Sequence, residues 1–220
     1  MKLVLASGSQ RRRELLTMCG YDYEIIVSNA DETIDENDPE SFVRALSFRK
    51  AKDVFDRLFA AGRRDFAVIG SDTVVAFQKE GEAKPVIIGK PKDAEDAVRI
   101  LSMLSGKTHR VFTGVSVIAD IPDENADAQC SIREKEEIQT ECSIAEVTFE
   151  TLSPDEITDY VNSGDSLDKA GSYGIQGPFG MFVREIRGNY FTVIGMPIPV
   201  LYKMLKKIGI LPHGFYERIE

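Results

Sequence analysis

The sequence predicts a mixed α/β fold, with helices packed on a twisted sheet. Two observations predict it. Short apolar runs of strand length alternate with longer segments whose apolar residues recur at helical spacing, and the two kinds are interleaved along the chain. Glycine or proline stands at most of the junctions between them.

The elements follow in order. Leu3–Ala6 reads as a short buried strand, Ser7-Gly8-Ser9-Gln10 as a turn, and Arg11 to Cys19 as a helix that Gly20 stops. Tyr23–Val27 reads as a second strand. Asp38-Pro39 opens a long helix, with proline suited to the first helical position. Phe42, Val43, Leu46, Ala51, Val54, Phe55, Leu58 and Phe59 give that helix its apolar face, and Gly62 ends it. Phe66–Gly70 and Val74–Phe77 read as strand segments on either side of Ser71-Asp72-Thr73. Asp93–Leu104 is a helix before Gly106, and Arg110–Ile118 and Glu146–Leu152 are strands. Ser153-Pro154-Asp155-Glu156 has the pattern of a capping box, opening a helix through Val161. Phe182–Ile186 and Tyr190–Ile194 read as a hairpin around Gly188-Asn189, and Pro197–Ile208 as the last helix. One domain spans 1–220. Within it, residues 120–141 read as a solvated insert, because acidic side chains there far outnumber Arg133 and Lys135.

Composition narrows the function. The chain has 220 residues and a net charge of -9, a poor match to the basic surface that nucleic acid requires. No apolar run approaches the roughly 18 residues of a membrane span. The apolar part of the Met1–Ala6 start is too short for a secretory signal, so the expected location is cytoplasmic. Two histidines and three scattered cysteines leave little for a zinc site, a Ser-His-Asp triad or a disulfide framework.

The residues that could carry chemistry begin at Ser7-Gly8-Ser9-Gln10-Arg11-Arg12-Arg13. A small-residue turn entering a helix exposes backbone N–H groups at the positive end of the helix dipole. The hydroxyls of Ser7 and Ser9 and the forks of Arg11 and Arg12 add donors suited to phosphate oxygens. A bare basic first turn would oppose the dipole unless an anion joined it. The spacing is neither a Walker A loop nor a dinucleotide fingerprint. Asp72 at a strand end could accept a proton from water or bind a metal, although aspartate there is also a common turn residue. Glu32 is a candidate second metal carboxylate. Lys50 lies on the long helix, where a solvated face is the plainer reading. Lys90 and the Asp168-Lys169 pair complete the polar candidates.

In order along nearly the whole chain, several segments resemble the Maf family of nucleoside triphosphate pyrophosphatases. They are Leu5 to Leu16, Ser71-Asp-Thr-Val-Val75, Gly89-Lys-Pro, Leu104-Ser-Gly-Lys-Thr-His109, Tyr160 to Gly164, Leu167 to Gly177 and Val193-Ile-Gly-Met-Pro197. Gln10 stands where the family usually has proline. The segment Phe77–Ile88 and the acidic insert are longer than in compact bacterial members.

The resemblance implies an inosine triphosphatase-like fold with two lobes around a central cleft. It implies hydrolysis of a nucleoside triphosphate to the monophosphate and pyrophosphate, a divalent metal (Mg²⁺ or Mn²⁺), and a homodimer. By the same resemblance Asp72 is the proton acceptor, and Ser9, Arg11, Arg12, Lys50 and Lys90 contact phosphate. Arg11, Thr73 and Gln176 match the positions tied to base choice. They look like the type that acts on dTTP and UTP, with CTP or modified pyrimidines also conceivable, rather than the 7-methyl-GTP type. The amide of Gln176 offers a donor and an acceptor to a pyrimidine edge. The rival of another class is a non-catalytic nucleotide sensor linked to cell division.

Overall fold

The structure, a computed structural model, describes residues 1–121 and 135–214. Its elements are β1 (Lys2–Leu5), α1 (Gln10–Met18), β2 (Glu24–Ile25), α2 (Pro39–Ala60), β3 (Phe66–Phe77), β4 (Val86–Ile88), α3 (Ala94–Leu104), β5 (Thr108–Ile121), β6 (Lys135–Phe149), α4 (Pro154–Asn162), β7 (Val183–Gly188), α5 (Tyr190–Ile194) and α6 (Ile198–Lys207). Two 3₁₀ turns, Ala170–Ser172 and Pro178–Phe182, lie between α4 and β7. The strands form one mixed sheet in the order β2-β1-β3-β5-β6-β7, with β4 also on β3. The expected α/β class is what the chain adopts.

Three expectations need correction. Ser71-Asp72-Thr73 does not interrupt two strands: β3 runs unbroken for 12 residues, and Asp72 pairs with Gly114 of β5 in its middle. Polar residues at these positions suggested a turn, but Ser71 and Thr73 find partners on β5 and Asp72 finds Lys50 of α2. Phe182 to Ile194 is not a hairpin. β7 pairs with β6, and Tyr190–Ile194 is a helix whose N-cap, Asn189, accepts from the Phe191 N–H. The acidic stretch 120–141 is not all loop. Asp120 and Ile121 finish β5, and residues 135–141 begin β6 in register with it, Asp120 opposite Glu136. Glu137, Gln139 and Glu141 alternate with Ile138, Thr140 and Cys142, a period-two strand pattern that net charge obscured. Residues 122–134 of that stretch lie outside the described residues.

The helices start where local chemistry satisfies their free N–H groups. Asp38 caps α2 through the Ser41 N–H, with Pro39 at the first position, and Ser153 with Glu156 forms the expected capping box of α4. The long α2 covers one face of the sheet, packing Val54 and Phe55 on Val4, Phe66, Val68 and Ile118. The opposite face carries two separate cores. One joins α1 and α6 to Ala67, Ile69 and Val117, and the other joins α3 and α4 to Val75, Phe77, Val111 and Phe149. Between these cores, on the same face, lie Ser71, Thr73 and Thr113, so a polar strip divides the protein into two lobes.

Two glycines set how closely α2 lies on the sheet. A Cβ on Gly70 would meet the Ser47 carbonyl oxygen at 2.1 Å, and one on Gly114 would meet that of Val43 at 2.1 Å. Helix backbone therefore rests directly on β3 and β5, tighter than any side chain there would allow.

Candidate active site

The site begins as a gap in the sheet. Along one edge of β3, β1 pairs with Phe66 to Ile69 and β4 with Val75 to Phe77, leaving the residues between them without a strand partner on that side. β1 ends at this gap and turns through Ser7-Gly8-Ser9 into α1. The sheet thus opens where a parallel strand delivers a helix N-terminus, the usual location for a ligand crevice in an α/β sheet. A cleft of about 1720 Å³ lies here.

Successive residues of β3 face opposite sides of the sheet, and both sides reach the gap. On the α2 side, Lys50 Nζ lies 2.7 Å from Asp72 Oδ1 and 3.0 Å from Glu32 Oε1. Asp72 is only 8% exposed, which strengthens its attraction to the ammonium. On the other side, Thr73 Oγ1 accepts from Arg12 Nη2 at 3.3 Å. Arg12 Nε donates to the Gly195 carbonyl at 2.9 Å and Nη1 to Ser7 Oγ at 3.2 Å. Ser71 Oγ donates to that same Gly195 carbonyl at 2.9 Å. Burial pushes the Arg12 guanidinium pKa down. The Asp72 charge opposes that shift, Arg11 adds to it, and Glu32 opposes it more weakly.

α1 presents a bare N-terminus. Its N-cap, Ser9, makes no side-chain capping bond, and its first turn holds no acidic residue. Arg11, Arg12 and Arg13 stand there instead, so the dipole and the side chains both call for an anion. Across the cleft, Arg11 Nη1 pairs with Asp168 Oδ2 at 3.1 Å, and Lys169 Nζ pairs with Asp168 Oδ1 at 2.7 Å and Asp165 Oδ1 at 2.8 Å. Burial pushes the Asp168 carboxyl pKa up, but the Lys169 hydrogen bond and the Arg11 charge outweigh it and hold it below the usual value.

All the residues singled out from the sequence line this one cleft. Glu32, Lys50 and Asp72 form one cluster, Ser7, Arg12 and Thr73 a second, and Arg11, Asp168 and Lys169 a third. Ser9 sits at the helix start, and Lys90 and Gln176 are exposed on the walls. Lys50 proves to be half of a buried ion pair rather than a solvated helix residue. Reasoning from sequence gave no role to Gly195, whose left-handed φ of 110° aims its carbonyl at Arg12. Thr113 likewise carries no sequence signal of its place, yet its hydroxyl donates to the Thr192 carbonyl at 2.7 Å and meets Thr73 Oγ1 at 3.0 Å.

Among the described residues, no three His, Cys, Asp or Glu side chains gather into a metal-holding group. Glu32 and Asp72 do supply carboxylates that meet on one cation, Lys50. A Mg²⁺ or Mn²⁺ ion held by one or two carboxylates, with substrate phosphates completing its shell, needs this donor set and no more.

Fold and cleft together define a mixed α/β protein whose cleft sets a carboxylate–lysine pair beside a basic helix N-terminus. More particularly, a family model described as Maf-like protein matches residues 2–208, and the chain belongs to the Maf family. A relative in Agathobacter rectalis named dTTP/UTP pyrophosphatase is 39% identical over 217 residues, covering 95% of this chain and 98% of its own. A Bacillus thuringiensis relative of the same name is 41% identical over 210 residues, covering 95% and 96%. Among solved structures, the Ham1 protein of Staphylococcus aureus aligns over 94% of this chain and 99% of its own, with 16% identity and a TM-score of 0.48.

Proposed function

We propose that this chain is a nucleoside triphosphate pyrophosphatase that hydrolyses dTTP and UTP to the monophosphate and pyrophosphate. The relatives at about 40% identity carry that name over nearly their whole length. The observation that carries the chemistry is the Lys50–Asp72 pair set beside the bare N-terminus of α1.

The triphosphate lies along Ser7 to Arg13, gripped by the α1 N–H groups, Ser9, Arg11 and Arg12, with Lys90 reaching in from the opposite wall. Lys50 occupies Asp72 Oδ1. Oδ2 has no hydrogen bond among the described residues and is the oxygen that takes a proton from water. The water oxygen bonds to the α-phosphorus, the bond from that phosphorus to the α–β bridging oxygen breaks, and pyrophosphate leaves. Its charge is met by Arg11, Arg12 and lysine ammonium groups already in place, so positioning and charge stabilisation supply most of the rate. A divalent metal, Mg²⁺ or Mn²⁺, held by Glu32 and Asp72, supplies further charge neutralisation on the phosphates when bound.

Gln176 reads the pyrimidine edge, Arg11 and Thr73 bear on base choice, and Asp168 with Lys169 closes the wall opposite α1. The enzyme works as a cytoplasmic homodimer. No helix among the described residues is long and apolar enough to cross a membrane.

A product-resolved panel of dTTP, UTP, CTP, modified pyrimidine triphosphates and 7-methyl-GTP with Mg²⁺ or Mn²⁺ tests this reading. Stoichiometric pyrophosphate from dTTP and UTP is expected. Binding without product would favour a nucleotide sensor, and a preference for 7-methyl-GTP would overturn the substrate assignment.

A further inference from the structure

We infer that Arg49 is a positioning residue that fixes Glu32 in the site by gripping the backbone on both sides of it. The inference rests on the reading of Glu32 as a metal carboxylate.

Glu32 sits in the stretch between β2 and α2, which has neither helix nor strand. Its side chain is 65% exposed, so packing cannot fix it. What holds the stretch is one face of α2. Arg49 Nη1 donates to the Asp31 carbonyl at 2.8 Å and to the Thr33 carbonyl at 2.9 Å. Both N–H bonds of one nitrogen are spent, one on each neighbour of Glu32. The next residue, Lys50, takes the Glu32 carboxylate. One turn on, Asp53 accepts from Ser28 Oγ and the Asn29 N–H, both at 2.9 Å.

Backbone, carboxylate and loop entry are thus each tied to α2. Lys50 alone could hold a carboxylate from many loop conformations, because its ammonium has no preferred direction. The Arg49 fork selects one of them. Groups that orient a metal carboxylate without touching the ion typically change affinity by about 10- to 100-fold when removed.

The test uses the full-length protein with Mn²⁺ and a non-hydrolysable α,β-imido analogue of UTP. Bound Mn²⁺ is read by electron paramagnetic resonance. Arg49→Met is expected to weaken Mn²⁺ binding about tenfold, with the thermal midpoint moved by less than about 3 °C. Arg49→Lys, which keeps the charge and guards against a folding defect, is expected to lose only about threefold. On a Glu32→Gln background, Arg49→Met should add less than about twofold. Unchanged Mn²⁺ affinity in Arg49→Met, or the full tenfold loss persisting without the Glu32 carboxylate, would overturn the inference. Wild-type protein that releases pyrophosphate from UTP while Arg49→Met keeps its Mn²⁺ affinity would sink this inference alone. Wild-type protein that holds no Mn²⁺ with the analogue and releases no pyrophosphate would sink the enzymatic reading with it.

Discussion

Lys50 Nζ and Asp72 Oδ1 stand 2.7 Å apart, although one residue comes from the middle of a long helix and the other from the middle of a strand. The pair forms because Gly114 under Val43 and Gly70 under Ser47 and Ala51 let the helix backbone settle onto the sheet around Lys50. Asp72 keeps one carboxylate oxygen unengaged by the described residues, the requirement for a base. Asp72→Asn keeps the shape and loses the proton acceptor. Turnover of UTP is expected to fall by about 10²- to 10⁴-fold, with nucleotide affinity within a few-fold of wild type. Near-normal turnover in a steady-state assay would remove Asp72 from the role of base.

The glycine contacts beneath that pair give a second expectation. In Gly114→Ala the new methyl carbon would lie 2.1 Å from the Val43 carbonyl oxygen and 2.9 Å from Ser47 Oγ. The nearer atom is helix backbone, which cannot rotate aside. Denaturant unfolding should show a loss of about 1–3 kcal/mol, the range for overpacking a tight core. Turnover should fall as well, because α2 carries Lys50 with it when it lifts. Stability and rate equal to wild type would show that the helix has room to move.

Gly195 ties the other side of the cleft together. Its carbonyl accepts from Arg12 Nε and Ser71 Oγ, and its φ of 110° is strained for any residue with a Cβ. A methyl there would also sit 3.1 Å from Thr73 Oγ1. Gly195→Ala is expected to cost about 1–2 kcal/mol of stability. It should also raise the KM for UTP several-fold, because Arg12 loses its anchor and must be ordered by the substrate. An unchanged KM with lowered stability would separate Gly195 from phosphate binding.

Most of the fold was legible where one physical signal dominates a segment. Asp38-Pro39 and Ser153 to Glu156 announce helix starts through the N–H groups they satisfy, and both lie where expected. The turn from Ser7 into a helix at Arg11 was legible from its small residues and the charged run after them, and the structure starts α1 at Gln10. What the chain hides is what depends on a distant partner. Ser71 and Thr73 look like turn residues until β5 and Gly195 supply acceptors for them. The ion pair of Lys50 depends on Gly70 and Gly114, which are silent as isolated letters. Asn189 opened a short helix because its side chain caps Phe191, a local signal that Gly188 before it disguised as a hairpin turn.

His109 offers the last expectation, in stability rather than rate. It is 2% exposed, its Nε2 lies 2.9 Å from the Tyr173 hydroxyl, and its Nδ1 finds no partner among the described residues. Phe149 and Tyr173 pack edge-on against the ring. Burial pushes its pKa down to about 3 from an ordinary 6.5. Well above pH 6.5 the ring is neutral in both the folded and the unfolded chain, so it adds no pH dependence there. As pH falls from 6.5 towards 3, the unfolded chain takes up a proton that the folded one excludes, and stability drops. Between about pH 7 and about pH 5 this one group should remove about 2 kcal/mol. Urea unfolding at the two pH values should show a loss in wild type that exceeds the loss in His109→Gln by that amount. Glutamine cannot titrate there, yet it can still meet the Tyr173 hydroxyl. Equal losses in the two proteins would mean that the folded chain accepts the proton at His109, and that the ring is not sealed in the core.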